Sequence, residues 1–254
     1  MIQPLIDQLL AWSAQALGDD IVVAKKEYFS HVGGEVHEHD RTFEARMQGF
    51  FNWYLFDRRT ASDRGAQTPA QRFLAERGAG IFGSDKDLLI GATHSRLSLY
   101  AYRGRRTFLR RVPEGMVRVR DAFTLDDYDV IERRQMDGLD SGDLFEARLI
   151  PVASRHHFSS SFLFHAREVK RPVLREIKRR RKALLLSDPA AFCWEISRMA
   201  LQAERFRNVP ILAIYDFENP FLGQKRTKGA EPAEGPEAGA GAKSAGPEGA
   251  GPRG

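Results

Sequence analysis

Met116-Val117-Arg118-Val119-Arg120-Asp121-Ala122 alternates apolar and polar residues, and this period of two decides how the middle of the chain folds. In a strand, Val117 and Val119 face a core while Arg118 and Arg120 face away from it. Runs of the same kind lie on both sides: Leu97–Tyr102, Thr107–Val112, Tyr128–Arg133, Asp143–Val152 and His157–His165. Phe145, Ala147 and Leu149 are the inward set of the fifth run. Turn-forming residues separate the runs, among them Gly104, Pro113-Glu114-Gly115, Leu125-Asp126-Asp127 and Asp140-Ser141-Gly142. Six short strands at this spacing predict a compact antiparallel sheet, curled or closed as a small barrel.

The sequence on either side has helical spacing. Leu5, Leu9, Leu10 and Trp12 predict a first helix, and an apolar run from Ile21 to Phe29 predicts a second, stopped by Gly33-Gly34. A longer helix is expected from Asp40, read as its N-cap, through Phe43, Met47 and the aromatic cluster Phe50–Phe56. Its apolar residues spread around most of the wheel, as in a central, buried helix. Thr68-Pro69-Ala70-Gln71 is a capping box with Pro at the first helical position, and Ser84 is read as the cap of another helix reaching about His94. Beyond the strands, Pro172 opens a helix to about Leu186 and Asp188-Pro189 opens one to about Arg205. Val209–Tyr215 reads as a last strand or extended segment. The fold class expected is therefore α+β: a helical part over 1–94, the β part over 95–166, a second helical part over 167–222, and a tail over 223–254. Of the 32 tail residues 20 are Gly, Ala or Pro, too few apolar groups to offset ordering entropy, so disorder is expected there.

The 42 % hydrophobic content and 17 Phe suffice for a sizeable core. A single cysteine, Cys193, excludes an intrachain disulfide and any cysteine-based zinc site. The first residues lack a basic segment followed by an apolar one, and no apolar run approaches the roughly 18 residues of a membrane span. A cytoplasmic protein with no membrane partner is expected. The net charge of +5 is uneven: −3 over 1–94, +2 over 95–166, +5 over 167–222 and +1 in the tail. A negative first part and a positive third part could attract each other, or the basic end could meet an acidic partner.

The strongest charge feature is Lys170–Lys182, eight of whose thirteen residues are basic. On a helical wheel Arg171, Arg175, Lys178, Arg179 and Lys182 share one face, which would suit a phosphate backbone or an acidic protein. Val173, Leu174, Ile177, Leu184 and Leu185 form the opposing apolar stripe. Arg181 falls inside that stripe and predicts a structural ion pair. Such faces are commonly plain solvated surface. Arg118, Arg120 and Arg148 on outward strand positions, with Tyr100 and Tyr102 nearby, could form a stacking and phosphate-binding surface.

Two alternatives involve metal chemistry. His37 and His39, beside Glu38, Asp40 and Glu44, form the densest group of potential ligands. Asp129 with Glu146-Ala147-Arg148 distantly resembles the carboxylates of metal-dependent nucleases, with Arg in place of the proton-shuttling Lys. No phosphate-cradling Gly-rich loop, His-Glu-x-x-His or Gly-x-Ser-x-Gly occurs, Ser159-Ser160-Ser161 is a strand run without a base, and Cys193 reads as a core residue. No cofactor is implied. A non-enzymatic binding or adaptor protein, meeting nucleic acid or an acidic partner, is the leading expectation; a metal-dependent hydrolase or nuclease is the alternative.

Phe50-Phe51-Asn52-Trp53-Tyr54-Leu55-Phe56-Asp57-Arg58, Thr68-Pro69-Ala70-Gln71-Arg72-Phe73-Leu74, Val119-Arg120-Asp121 and Gly142-Asp143-Leu144-Phe145-Glu146-Ala147-Arg148-Leu149-Ile150-Pro151 occur in that order. Over roughly residues 20–165 the chain thereby resembles an uncharacterised family of bacterial proteins, some of which end in a zinc-binding SEC-C motif. That motif needs closely spaced cysteines, so its zinc function is not implied here. The resemblance supports the fold and implies no reaction.

Overall fold

The structure, a computed structural model, describes residues 2–60, 66–104, 113–132, 138–186 and 188–221. The strand expected at 107–112 and the tail from 223 lie outside them. Five helices come first: α1 (Gln3–Leu17), α2 (Asp20–His31), α3 (Phe43–Phe56), α4 (Pro69–Arg77) and α5 (Gly83–Thr93). Strands β1 (Arg96–Gly104), β2 (Met116–Asp121), β3 (Asp127–Ile131), β4 (Leu144–Val152) and β5 (Arg155–Phe164) follow, then α6 (Lys170–Lys182), α7 (Pro189–Arg205) and the single turn α8 (Ile211–Ile214). The α+β order is the one the sequence periods imply.

Local chemistry accounts for several helix ends. Thr68 Oγ1 accepts the Gln71 N–H while the Gln71 side chain accepts the Thr68 N–H at 3.0 Å, completing the capping box of α4. Asp188 caps α7 by accepting the Ala190 N–H at 2.9 Å. Asp40 does not cap α3. Its carboxylate accepts the His37 N–H and binds Arg205 of α7, so the helix starts later, at Phe43. Just before the helix the carboxylate of Glu204 on α7 accepts the Arg41 N–H and the Thr42 hydroxyl, tying its start to α7. Ser84 is likewise inside α5 rather than its cap, which is Phe82. The segment read as a last strand contains α8 instead. Pro210 has no N–H to give a ladder, and one helical turn suffices to bury Ile214 and Tyr215.

The strands pair in the order β1-β2-β3-β5-β4, and β4 also pairs with β1, so the ladder closes on itself. Five strands are formed among the described residues. The sheet is mixed rather than antiparallel, because β3 and β5 run parallel where Val130 faces His156 and Ile131 faces His157. Tyr100, Tyr102, Val117, Val119, Val130, Phe145, Ala147, Leu149 and Phe158 fill the space the strands enclose. The outer face of β1 and β4 is also covered. Leu99, Ala101 and Leu144 pack under α6 and α7, and Ile150 joins the aromatic core of α1–α5. β4 is therefore buried on both faces from Leu144 to Ile150. Helix α3 lies along β5, where its residues bind the serine run: Asn52 Nδ2 donates to Ser159 Oγ at 3.0 Å, Ser160 Oγ to Gln48 Oε1 at 2.9 Å, and Ser161 Oγ to the Ala45 carbonyl at 3.1 Å.

Double burial of β4 corrects one expectation. Arg148 is on the outer face but covered by helices, with its guanidinium over the Phe56 ring, paired with Asp57 and donating to Ser95 Oγ. Tyr100 and Tyr102 point into the enclosed core. No stacking surface exists at these three positions.

Candidate binding surface and buried polar centre

Glu146 anchors a polar centre between β4 and the helices. Its two carboxylate oxygens accept from Ser197 Oγ at 2.9 and 2.8 Å, and Oε1 lies 3.0 Å from His165 Nε2. Donation from Nε2 leaves His165 Nδ1 to accept from the Tyr215 hydroxyl at 3.1 Å. Arg46, buried on α3, donates to Thr42 Oγ1 at 2.8 Å and to the Ser197 carbonyl at 2.9 Å. Burial draws the Arg46 guanidinium below its ordinary pKa, opposed chiefly by the Glu146 charge. Burial, with Glu146 second, pushes the neighbouring Tyr28 hydroxyl up, so it remains protonated.

A cavity of about 30 Å³ opens within this centre, lined by Tyr28, Arg46, Asn52, Glu146, Arg148 and Trp194 among others. Three of these residues have a buried atom without a protein partner: Asn52 Oδ1, Arg148 Nε and Trp194 Nε1. One acceptor and two donors around space for roughly two waters make a site that water satisfies. The arrangement is not a hydrolytic triad. In a triad the histidine bridges nucleophile and acid, whereas here the carboxylate lies between Ser197 and His165. Cys193 is buried, and burial pushes its thiol well up, away from a reactive thiolate.

The alternative metal residues have other partners. Asp129 receives a bidentate bond from Arg118, both contacts at 2.7 Å, and Asp127 does the same for Arg120. β5 lies between Asp129 on β3 and Glu146 on β4, and Glu146 faces α7. The two carboxylates therefore do not flank one ion. The His37 and His39 rings stack face to face, 13° from parallel at 5.5 Å. Among the described residues no group of three or more His, Cys, Asp or Glu is placed to hold a metal.

Helix α6 presents the basic face where the wheel puts it. Arg171, Arg175, Lys178, Arg179 and Lys182 are all exposed. The helix sorts its cations by direction. Glu176 is buried and receives bonds from Arg179 at 2.7 and 2.6 Å and from Arg180 at 2.6 Å, which hold its carboxyl below the ordinary range. Arg180 also clasps Glu195 at 2.6 and 2.9 Å and lies over the Phe192 ring. Arg181 makes no ion pair among the described residues; Nη1 donates to the Phe123 carbonyl at 3.3 Å, which corrects the carboxylate partner expected for it. Arg171, Arg175, Lys178 and Lys182 have no carboxylate within 4.0 Å among the described residues. At its start the face borders an open cleft of about 660 Å³ lined by Arg167, Lys170, Arg171, Arg175 and Leu212.

The far end of the helix departs from the wheel. Leu184 is 90 % and Leu185 65 % exposed, although helical continuation would put both in the apolar stripe. The helix stops at Lys182. The Leu185 N–H binds the Arg180 carbonyl at 2.9 Å and the Leu184 N–H the Arg181 carbonyl at 3.2 Å, while Leu184 turns left-handed at φ 55°. This is a Schellman termination, and it swings both leucines away from the core.

Residues 34–193 match a family of unknown function, DUF7986. The chain belongs to this family. Neither a curated protein nor a solved structure gives a match. The family span runs from the loop before α3, through all five strands and α6, into the start of α7. It thus contains the basic helix, Glu146 and His165, while Ser197 and Tyr215 fall beyond it.

Sequence reading missed Arg46, Asn52, His165, Ser197 and Tyr215 as one constellation. A usable signal was Glu146 itself, a lone acid within Leu144–Ile150, where both faces of the strand are otherwise mostly apolar.

Proposed function

We propose that this protein is a non-enzymatic binding protein that holds a polyanionic partner against the exposed basic face of α6. The observation that carries the reading is the sorting of cations along one helix. The inward Arg180 is matched by two carboxylates, whereas Arg171, Arg175, Lys178 and Lys182 are exposed without one. The paired arginines on β2 are consistent with the same division, since Asp129 and Asp127 neutralise them. Four unpaired cations on about three turns create a local positive potential that steers an acidic partner and releases its counterions on contact.

Retention on immobilised heparin, a polyanion of no particular sequence, tests the reading across a salt series. The wild-type protein is expected to elute well above physiological salt, and Arg175→Glu/Lys178→Glu to elute near it with unchanged circular dichroism. Neither side chain is bonded to Glu176, so the substitutions leave the internal pairs of the helix intact. Equal elution of variant and wild type would refute the proposal.

A further inference from the structure

The end of α6 has a feature that a polyanion alone does not use. Leu184 occupies the left-handed position of the Schellman turn, where glycine is the usual residue because a Cβ crowds the following carbonyl. A leucine there strains the backbone and, at 90 % exposure, recovers no burial. Leu185 follows at 65 %. In a Schellman turn this second position commonly packs back on the helix, but the residue it would meet is Arg180, engaged with Glu176 and Glu195. Two adjacent leucines therefore project from the helix end into solvent.

Lys178 and Lys182, both exposed, precede them in the last turns of α6. At 1.5 Å per residue Lys178 lies about 9 Å along the axis from Leu184, whereas Arg171 lies about 20 Å away. The Debye length at physiological salt is about 8 Å, so Lys182, about 3 Å along the axis, acts fully at a surface the leucines touch, Lys178, about one Debye length away, acts in part, and Arg171, more than two away, hardly acts. Apolar tips next to exposed lysines are the chemistry of interfacial binding: leucines enter the acyl boundary and lysines meet anionic headgroups. A nucleic acid would reward the cations and leave the leucines in water.

We infer that the partner of this face is an anionic lipid surface, entered by Leu184 and Leu185 and held by Lys178 and Lys182. This rests on the polyanion-binding reading above. It replaces the expectation of no membrane partner, which followed from the lack of a spanning segment. Among the described residues no helix is long and apolar enough to cross a membrane, and the contact inferred here is peripheral.

The test is flotation of the intact chain with vesicles of phosphatidylcholine plus phosphatidylglycerol, against phosphatidylcholine alone and against labelled DNA and RNA. Binding to the anionic vesicles, tighter than to DNA or RNA, and none to phosphatidylcholine alone is expected. Leu184→Ser/Leu185→Ser should weaken it about tenfold or more, as for partial burial of two leucines, and leave heparin retention unchanged. Lys178→Glu/Lys182→Glu should weaken both, and Arg171→Glu should weaken vesicle binding far less. Leu184→Gly relieves the left-handed strain, so it should raise the melting temperature while reducing vesicle binding. That pairing separates lost contact from lost folding. Heparin retention without vesicle binding, vesicle binding indifferent to the leucines, or tighter binding to DNA or RNA would overturn the lipid inference and leave polyanion binding standing. Loss of heparin retention as well would overturn both.

Discussion

Replacing Glu146 by glutamine is expected to destabilise the fold by about 3 kcal/mol, in two parts. The carboxylate accepts two contacts from Ser197 and faces His165. Glutamine offers one carbonyl oxygen and turns its amide donors toward one of these groups, which costs about 1–2 kcal/mol. Arg46 then remains a buried cation without its main opposing charge. It is bonded to Thr42 and the Ser197 carbonyl rather than to Glu146 directly, so this second part is about 1–2 kcal/mol, below the figure for a broken contact pair. For a domain of this size the sum lowers the melting temperature by roughly 6–12 °C. Thermal and urea unfolding, followed by far-ultraviolet circular dichroism, measure it. Arg46→Met combined with Glu146→Leu should cost less than the two single changes added, because no lone ion is left inside. If Glu146→Gln unfolds within about 0.5 kcal/mol of the wild type, or the double variant is additive, the centre is not a structural network. A gain in stability would instead mark Glu146 as a strained functional carboxylate.

Gly91→Ala is expected to cost about 2–3 kcal/mol in urea titration, since a Cβ there would sit well inside contact distance of the Pro151 carbonyl; Gly80→Ala, with nothing within 4 Å, should be neutral. Acid should weaken the anchoring of α6. The Arg179 and Arg180 bonds depress the Glu176 pKa, so their contribution is full above the ordinary value of 4.5 and declines as pH falls through the lower folded value. Glu176→Gln should therefore be less stable at neutral pH and lose less on acidification, and parallel melting profiles of the two proteins across that range would count against the pairing.

The elements were legible because the sequence changes period at Arg96 and again after His165, and a period needs no knowledge of what lies opposite. Thr68 and Gln71 were readable for a related reason, because a capping box is complete within four residues. What failed required tertiary knowledge. Alternation separates the two faces of β4 but does not say that helices cover the outer one, so Arg148 looked exposed. The helical wheel kept turning at Leu184, where the backbone reverses hand. The polar centre joins Glu146 to a serine 51 residues on and Arg46 to a carbonyl 151 residues on, and no local pattern encodes such pairs.

The two polar regions of this protein have opposite energetics, and the contrast separates what serves folding from what does not. Around Glu146 buried charge is matched almost atom for atom, and the remaining unpaired atoms face a cavity with room for water. Desolvation favours that matching, because an unmatched ion there would destabilise the domain. At the end of α6 nothing is forced. A glycine at Leu184 and a polar residue at Leu185 would relieve strain and remove apolar surface from water without disturbing a single internal bond. Folding stability therefore favours neither leucine, and neither does solubility. The external apolar contact inferred above would account for them, and Lys178 and Lys182, without a carboxylate within 4.0 Å among the described residues, would set the sign of the surface that makes it.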